Sequence, residues 1–136
     1  MRLFLPLLIL ATTGCSTQPA DPGPPSGSFS GTGRDRLCVA GEGESRRAGI
    51  IAYGAGNTNC SAAGALTRAG EGYVLVPQGE GACRIGLSIS GDTVKVTSVP
   101  GACAYLCGPG TVLAEKAFQR DVATGPVTDF AGDDLC

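Results

Sequence analysis

Cys83-Arg84-Ile85-Gly86-Leu87-Ser88-Ile89-Ser90-Gly91-Asp92-Thr93-Val94-Lys95-Val96-Thr97-Ser98 is the stretch that decides the fold. Cys83, Ile85, Leu87 and Ile89 alternate with Arg84, Gly86, Ser88 and Ser90. A period of two sends successive side chains to opposite faces of a strand, so one face is buried and the other is wet. Gly91-Asp92 supplies a tight turn. Val94 and Val96 then carry the apolar face back, with Thr93, Lys95 and Thr97 outward. The pattern predicts an antiparallel hairpin with Ile85, Leu87, Ile89, Val94 and Val96 inward and Arg84, Ser88, Lys95 and Thr97 outward. A one-residue slip would expose every apolar side chain, so parity fixes the register.

Moving upstream, Tyr73-Val74-Leu75-Val76 lies between the turns Gly70-Glu71-Gly72 and Gln78-Gly79-Glu80-Gly81. Cys60, Ala62, Gly64 and Leu66 share one face of a strand rich in small residues. Gly49 to Tyr53 and Arg36 to Ala40 give two more strands, joined by Gly41-Glu42-Gly43-Glu44. About six short strands at close spacing predict a mainly β domain, a small antiparallel meander closed into a barrel or a sandwich. Downstream, Pro100-Gly101 ends the strands. Leu113, Ala114, Ala117 and Phe118 fall on one helical stripe, with Glu115, Lys116, Gln119 and Arg120 opposite and Thr111 as a cap. One short C-terminal helix is expected there, then an irregular tail ending Asp133-Asp134-Leu135-Cys136.

The chain has seven cysteines, and Cys15 accounts for the odd number. Arg2 and the apolar run Leu3-Phe4-Leu5-Pro6-Leu7-Leu8-Ile9-Leu10 have the layout of a signal peptide. The run is far short of the roughly 20 apolar residues of a membrane-spanning helix. Leu10-Ala11-Thr12-Thr13-Gly14-Cys15 resembles the lipobox of bacterial lipoproteins, with Thr12 where that motif usually has Leu, Val or Ile. The resemblance implies cleavage before Cys15 and lipidation of its thiol. In Gram-negative lipoproteins a residue other than Asp after the cysteine, here Ser16, goes with transfer to the outer membrane. Six cysteines then remain, Cys38, Cys60, Cys83, Cys103, Cys107 and Cys136, an even set in an exported chain, where disulfides form.

Three segments follow from this reading. Residues 1–14 are a signal peptide. Residues 15–33 are the lipidated cysteine and a tether rich in Pro, Gly and Ser, with Phe29 its one large apolar residue; such a stretch buries too little to offset its ordering entropy. Residues 34–136 are the domain, small enough that three disulfides are worth keeping. Proximity at the hairpin suggests Cys83–Cys103, leaving Cys38–Cys60 and Cys107–Cys136, although six cysteines allow fifteen connectivities. A net charge of −2 leaves no basic excess for phosphates, so nucleic acid is not an expected partner.

Catalytic readings are thin. Cys103-Ala104-Tyr105-Leu106-Cys107 is one residue too long for the Cys-x-x-Cys redox motif, and with no histidine in the chain a zinc site would need four cysteines. Asp129, Asp133 and Asp134 are oxygen donors of the kind calcium takes, but without EF-hand density. Glu71, Glu80 and Asp92 sit at turn tips and could pair for glycoside hydrolysis, though no spacing singles out two of them. A Ser–Lys dyad would have to use Lys95 or Lys116, the two lysines of the chain. Gly54-Ala55-Gly56-Asn57-Thr58-Asn59 resembles a phosphate loop only superficially, because no Gly-Lys-Ser/Thr helix start follows. No cofactor and no metal are expected.

Residues 37–136 resemble small cysteine-rich lipoproteins of proteobacteria. Asn59-Cys60-Ser61, Cys83-Arg84-Ile85, Gly91-Asp92 and Cys103-Ala104-Tyr105-Leu106-Cys107-Gly108-Pro109-Gly110 carry that likeness, which implies no activity. Size, leader and strand class are also similar to the periplasmic and membrane-bound inhibitors of c-type lysozyme. That similarity implies a small antiparallel barrel that blocks an enzyme with a loop. Their Ser-Gly-x-x-Tyr-like motif is absent here, so no residue is carried over. The expected function is a cell-envelope lipoprotein with a non-catalytic binding domain, anchored to the bilayer and meeting an envelope or secreted protein, with inhibition of a cell-wall-cleaving enzyme as one version. The alternatives are a structural envelope lipoprotein and a small metal- or carboxylate-dependent periplasmic hydrolase.

Overall fold

The computed structural model describes residues 14–16, 23–24, 26–79, 81–123 and 125–136. Apart from Gly14, the leader expected over residues 1–14 lies outside them, as do residues 17–22 and 25 of the tether. The hairpin has the expected form: β6 (Ile85–Ser90) and β7 (Thr93–Ser98) pair antiparallel through Leu87↔Val96, Ile89↔Val94 and Ser90↔Thr93. Gly91 has φ +58° while Asp92 does not leave negative φ, the signature of a two-residue turn with glycine first. Ile85, Leu87, Val94 and Val96 are buried and Ile89 is half-buried, while Arg84, Ser88, Lys95 and Thr97 are exposed. A bulge beside Gly86 admits Thr97 as an extra residue without changing the parity of Val96.

The same logic runs through β2 (Arg36–Ala40), β3 (Arg47–Tyr53), β4 (Asn59–Ala69) and β5 (Gly72–Pro77). Each pairs antiparallel with the next in sequence order. Two further strands complete the wall, so there are eight rather than six. β1 (Gly27–Ser30) pairs with β2, and β8 (Ala117–Arg120) pairs with β7 and with β1, giving a closed up-and-down barrel. Eight strands enclose a space that side chains can fill. Phe29, Leu37, Ile50, Leu75, Ile85, Val94, Val96 and Phe118 fill it, each fully buried.

Both additional strands correct the reading of the sequence. The domain starts upstream of residue 34, because Gly27-Ser28-Phe29-Ser30 belongs to the wall and Phe29 is part of the core. A single apolar residue in a four-residue strand shows no alternation, so the segment has the composition of a linker. The expected helix near 111–120 is replaced by a loop and β8. Glu115, at φ +61°, interrupts any helical turn, and Phe118 alone faces inward between exposed Ala117 and Gln119. Among the described residues helical structure is limited to two 3-10 segments, Gly43–Ser45 and Gly101–Leu106.

The six domain cysteines form three disulfides: Cys83–Cys103, Cys60–Cys107 and Cys38–Cys136. The expected Cys38–Cys60 and Cys107–Cys136 pairs are not formed, and parity explains why. Leu37 and Val39 point into the barrel, so Cys38 between them points out. Cys60 belongs to the inner face with Ala62 and Leu66. The two sulfurs therefore lie on opposite sides of the wall. Cys38 is instead covered by the C-terminal tail, which returns over β2 and β3. There Val127 and Leu135 pack on Cys38 and Ile51 in a small cluster separate from the core. Gly49 lies beneath this tail, where a Cβ would collide with Leu135.

Candidate functional site

With the interior occupied by side chains, the surface that can meet a partner is outside. Four connections gather at one end of the barrel: 31–35, 54–58, 78–84 and 99–116. The last, joining β7 to β8, is the longest of the barrel. β8 covers only the part of β7 around Thr93–Lys95, and this loop occupies the space beside the rest. Its 3-10 segment Gly101–Leu106 is set by Pro100, whose carbonyl accepts the Cys103 N–H at 2.9 Å. Two disulfides fasten it, Cys103 to the start of β6 and Cys107 to the start of β4. The Gly108 N–H donates to the Asn59 carbonyl at 2.9 Å, and the Thr111 hydroxyl donates to the Gly108 carbonyl at 2.6 Å. Leu113 plugs into the core.

The loop is also tied by charge. Asp35, almost fully buried, accepts the Tyr53 N–H at 2.8 Å and forms an ion pair with Lys116 Nζ at 2.9 Å. A buried carboxylate holds its place only when its oxygens are matched, and here both are. Next to this pair the Arg34 guanidinium lies 3.9 Å from the Tyr53 ring centroid and donates to the Gly56 carbonyl at 2.6 Å. The result is an end braced by two disulfides and a buried ion pair.

On this brace sit side chains that folding does not account for. Tyr105 is 64% exposed and Val112 is 63% exposed, on the two arms of the loop. Between the arms lies a shallow groove of about 250 Å³ lined by Val99, Pro100, Ala104, Thr111, Val112 and Leu113. Single exposed apolar residues are ordinary, but an apolar groove on a cross-linked loop, with exposed Val112 in its lining and exposed Tyr105 next in sequence to its Ala104, is the kind of surface that marks an interface. Tyrosine adds large contact area, a polar tip and little rotamer entropy to lose on binding.

The residues singled out by sequence fall elsewhere or apart. Cys103 and Cys107 are not a free thiol pair: Cys103 is bonded to Cys83 just before β6, and Cys107 to Cys60 in β4. Asp129, Asp133 and Asp134 form a self-bonded turn in which the Asp133 N–H donates to Asp129 Oδ1 at 2.9 Å. Among the described residues no group of three His, Cys, Asp or Glu is arranged to hold a metal. Glu71 is exposed at the β4–β5 turn, and Asp92 at the β6–β7 turn is ion-paired with Arg120 at 2.8 Å. Glu80 lies outside the described residues. Lys95 is exposed on β7 opposite Ser88, and Lys116 is held by Asp35. Residues 54–58 form a turn closed by the Gly54 N–H on the Thr58 carbonyl at 2.8 Å, and a strand follows it. Cys15 is exposed with a free thiol. Asp121, where the tail leaves β8, has its carboxyl held below the usual range by the Ser30 hydroxyl, the Ala123 N–H and nearby Arg36. Tyr105 and Val112 were hidden in the sequence by the cysteines around them. The available signal was a tyrosine between two cysteines that each form a disulfide.

No protein-family model matches the chain, and no curated protein or solved structure matches it at a significant level.

Proposed function

We propose that this is an outer-membrane lipoprotein, anchored through Cys15, whose barrel is a non-catalytic binding domain. Its partner is an envelope or secreted protein, and the specific version we favour is inhibition of a cell-wall-cleaving enzyme. The observation that carries the reading is the exposure of Tyr105 and Val112 on a loop held by two disulfides. Pre-organisation of this kind lowers the entropy cost of binding. Topology supports it too. The chain coming from Cys15 enters the barrel at the start of β1, and that strand runs toward the end carrying 31–35 and 99–116. The braced loops therefore sit at the end away from the anchor, where a soluble partner can reach them. The three disulfides suit an oxidising compartment.

The test is peptidoglycan hydrolysis by c-type lysozyme in the presence of the purified domain. Wild type is expected to slow hydrolysis, and Tyr105→Asp, a substitution at an exposed position, to abolish that effect. A wild-type domain without effect on the enzyme removes the inhibitor version. Inhibition unchanged by Tyr105→Asp removes the surface assigned here.

A further inference from the structure

The C-terminal tail from Asp121 to Cys136 is attached to the barrel in an unusual way. The Asp121 N–H donates to the Ser28 carbonyl at 2.9 Å, and the Ser28 hydroxyl donates to the Gly125 carbonyl at 3.0 Å. Beyond that point the backbone–backbone bonds of its described residues are to itself. Leu135 N–H donates to the Val127 carbonyl, Asp129 N–H to the Asp133 carbonyl, and Gly132 N–H to the Asp129 carbonyl. Thr128 and Asp134 form a bridge within the same small hairpin. No strand of the barrel pairs with it in the described residues. It is held to β2 and β3 by the seating of Val127 and Leu135 on Ile51 and by Cys38–Cys136. Phe130 and Val122 are left exposed.

The three disulfides differ in access. Cys60, Cys83 and Cys103 are fully buried, and Cys107 is half-buried beside them. Cys38 is nearly buried, but its partner Cys136 is exposed. Thiol–disulfide exchange needs a thiolate to approach one sulfur in line with the bond, so access decides which bridge reacts first. The bridge with an exposed cysteine is also the one that fastens a strap held to β2 and β3, among the described residues, chiefly by apolar packing.

We propose that Cys38–Cys136 is a thiol-responsive latch: a dithiol reductant opens it ahead of the other bridges, and its opening releases the tail from the outer face of β2 and β3 while the barrel stays closed. In the first step a reductant thiolate attacks Cys136 Sγ, the Sγ–Sγ bond breaks, and Cys38 leaves as a thiolate that takes up a proton. The second reductant thiol, as its thiolate, then displaces Cys136 from the mixed disulfide. The protein gains two thiols and the dithiol becomes a disulfide, so two electrons and two protons are transferred. Release bares Gly49, Ile51 and Ala63, an apolar strip now covered by the strap. The two states thus present different surfaces to the periplasm without a change in the wall. Segments tied down by few hydrogen bonds and little buried area are those that open below the global unfolding free energy.

The test is a dithiothreitol titration of the native full chain, quenched by alkylation and mapped by peptide mass, with amide hydrogen exchange followed in parallel. Cys38 and Cys136 are expected to become labelled at about tenfold lower reductant than the other four disulfide-bonded cysteines. At that point amides of 127–136 should lose protection while those of β6 and β7 keep theirs. Joint opening of all three bridges, or earlier labelling of Cys83 and Cys103, overturns the proposal. So does opening of Cys38–Cys136 with unchanged exchange in the tail.

Discussion

The β6–β7 hairpin and the β1–β8 seam each join two neighbouring strands of one wall, but by opposite means. The hairpin closes through a two-residue turn, and its five register pairs form between residues close in sequence. Closing so short a loop costs little chain entropy. The seam joins residues 29–30 to residues 119–120 through two register pairs. It has few hydrogen bonds and must order nearly the whole domain before it forms. Its stability comes from side chains: Phe29 and Phe118 are fully buried on its inner side. Arg120 closes the same inner side at the end of the barrel, since it pairs with Phe29 and lies two residues from Phe118. It lies 5.0 Å from the Phe29 ring centroid, donates to the Ser26 carbonyl, and pairs with Asp92 at the β6–β7 turn. A wall can therefore be held by repeated backbone pairing where contacts are local, and by a few large side chains where they are not.

The largest effect should come from removing the seam's anchor. Phe29→Ala is expected to lower unfolding free energy by about 3–5 kcal/mol, read from denaturant melts. A change under about 1 kcal/mol would mean that the seam is an ornament on a six-stranded sheet. Within the hairpin, Leu87→Ala should cost about 2–5 kcal/mol, since that residue is only 1% exposed. Phe29→Ala matching or exceeding Leu87→Ala is what a closed barrel requires.

These two regions were unequally legible, and the reason is physical. Alternation needs several residues to show itself. The six-residue strands β6 and β7 display it, as do Cys60, Ala62, Gly64 and Leu66 in β4. The four-residue strands β1 and β8 each bring a single inward phenylalanine, set among glycine and serine in one case and polar residues in the other. Nothing local separates Phe29 from a linker, and Leu113, Ala114, Ala117 and Phe118 happen to match a helical stripe. Only the need of a curled sheet to pair its edges calls for those strands. The cysteines follow the same rule. Cys83–Cys103 joins residues that local geometry brings together, at a separation of 20. Cys38–Cys136, at a separation of 98, depends on where the tail returns. Parity alone could have excluded Cys38–Cys60, because Leu37 and Val39 force Cys38 outward. The candidate surface was legible in part: the Cys103–Gly108 stretch drew notice for its sulfurs, while its exposed tyrosine is the feature that counts.

Two smaller changes sharpen the comparison. Glu115, at φ +61°, stands just before β8 and pays a steric penalty that glycine avoids. Glu115→Gly should raise stability by about 1 kcal/mol; a loss would mean that the approach to the seam does not need a left-handed residue. Thr97, the extra residue at the β7 bulge, is exposed. Thr97→Ala should change stability by about half a kcal/mol or less. An effect as large as that of Leu87→Ala would reverse the assigned faces of the hairpin.

Closure of the wall by β1 is tested most directly by equilibrium unfolding of two shortened chains, one beginning at Gly23 and one at Arg34. The chain from Gly23 keeps β1 and Phe29. It is expected to unfold cooperatively with the midpoint of the full chain. The chain from Arg34 leaves β2 and β8 as open edges and a hole where Phe29 sat, and is expected to show no cooperative transition. Equal midpoints for the two chains would contradict a barrel closed through β1.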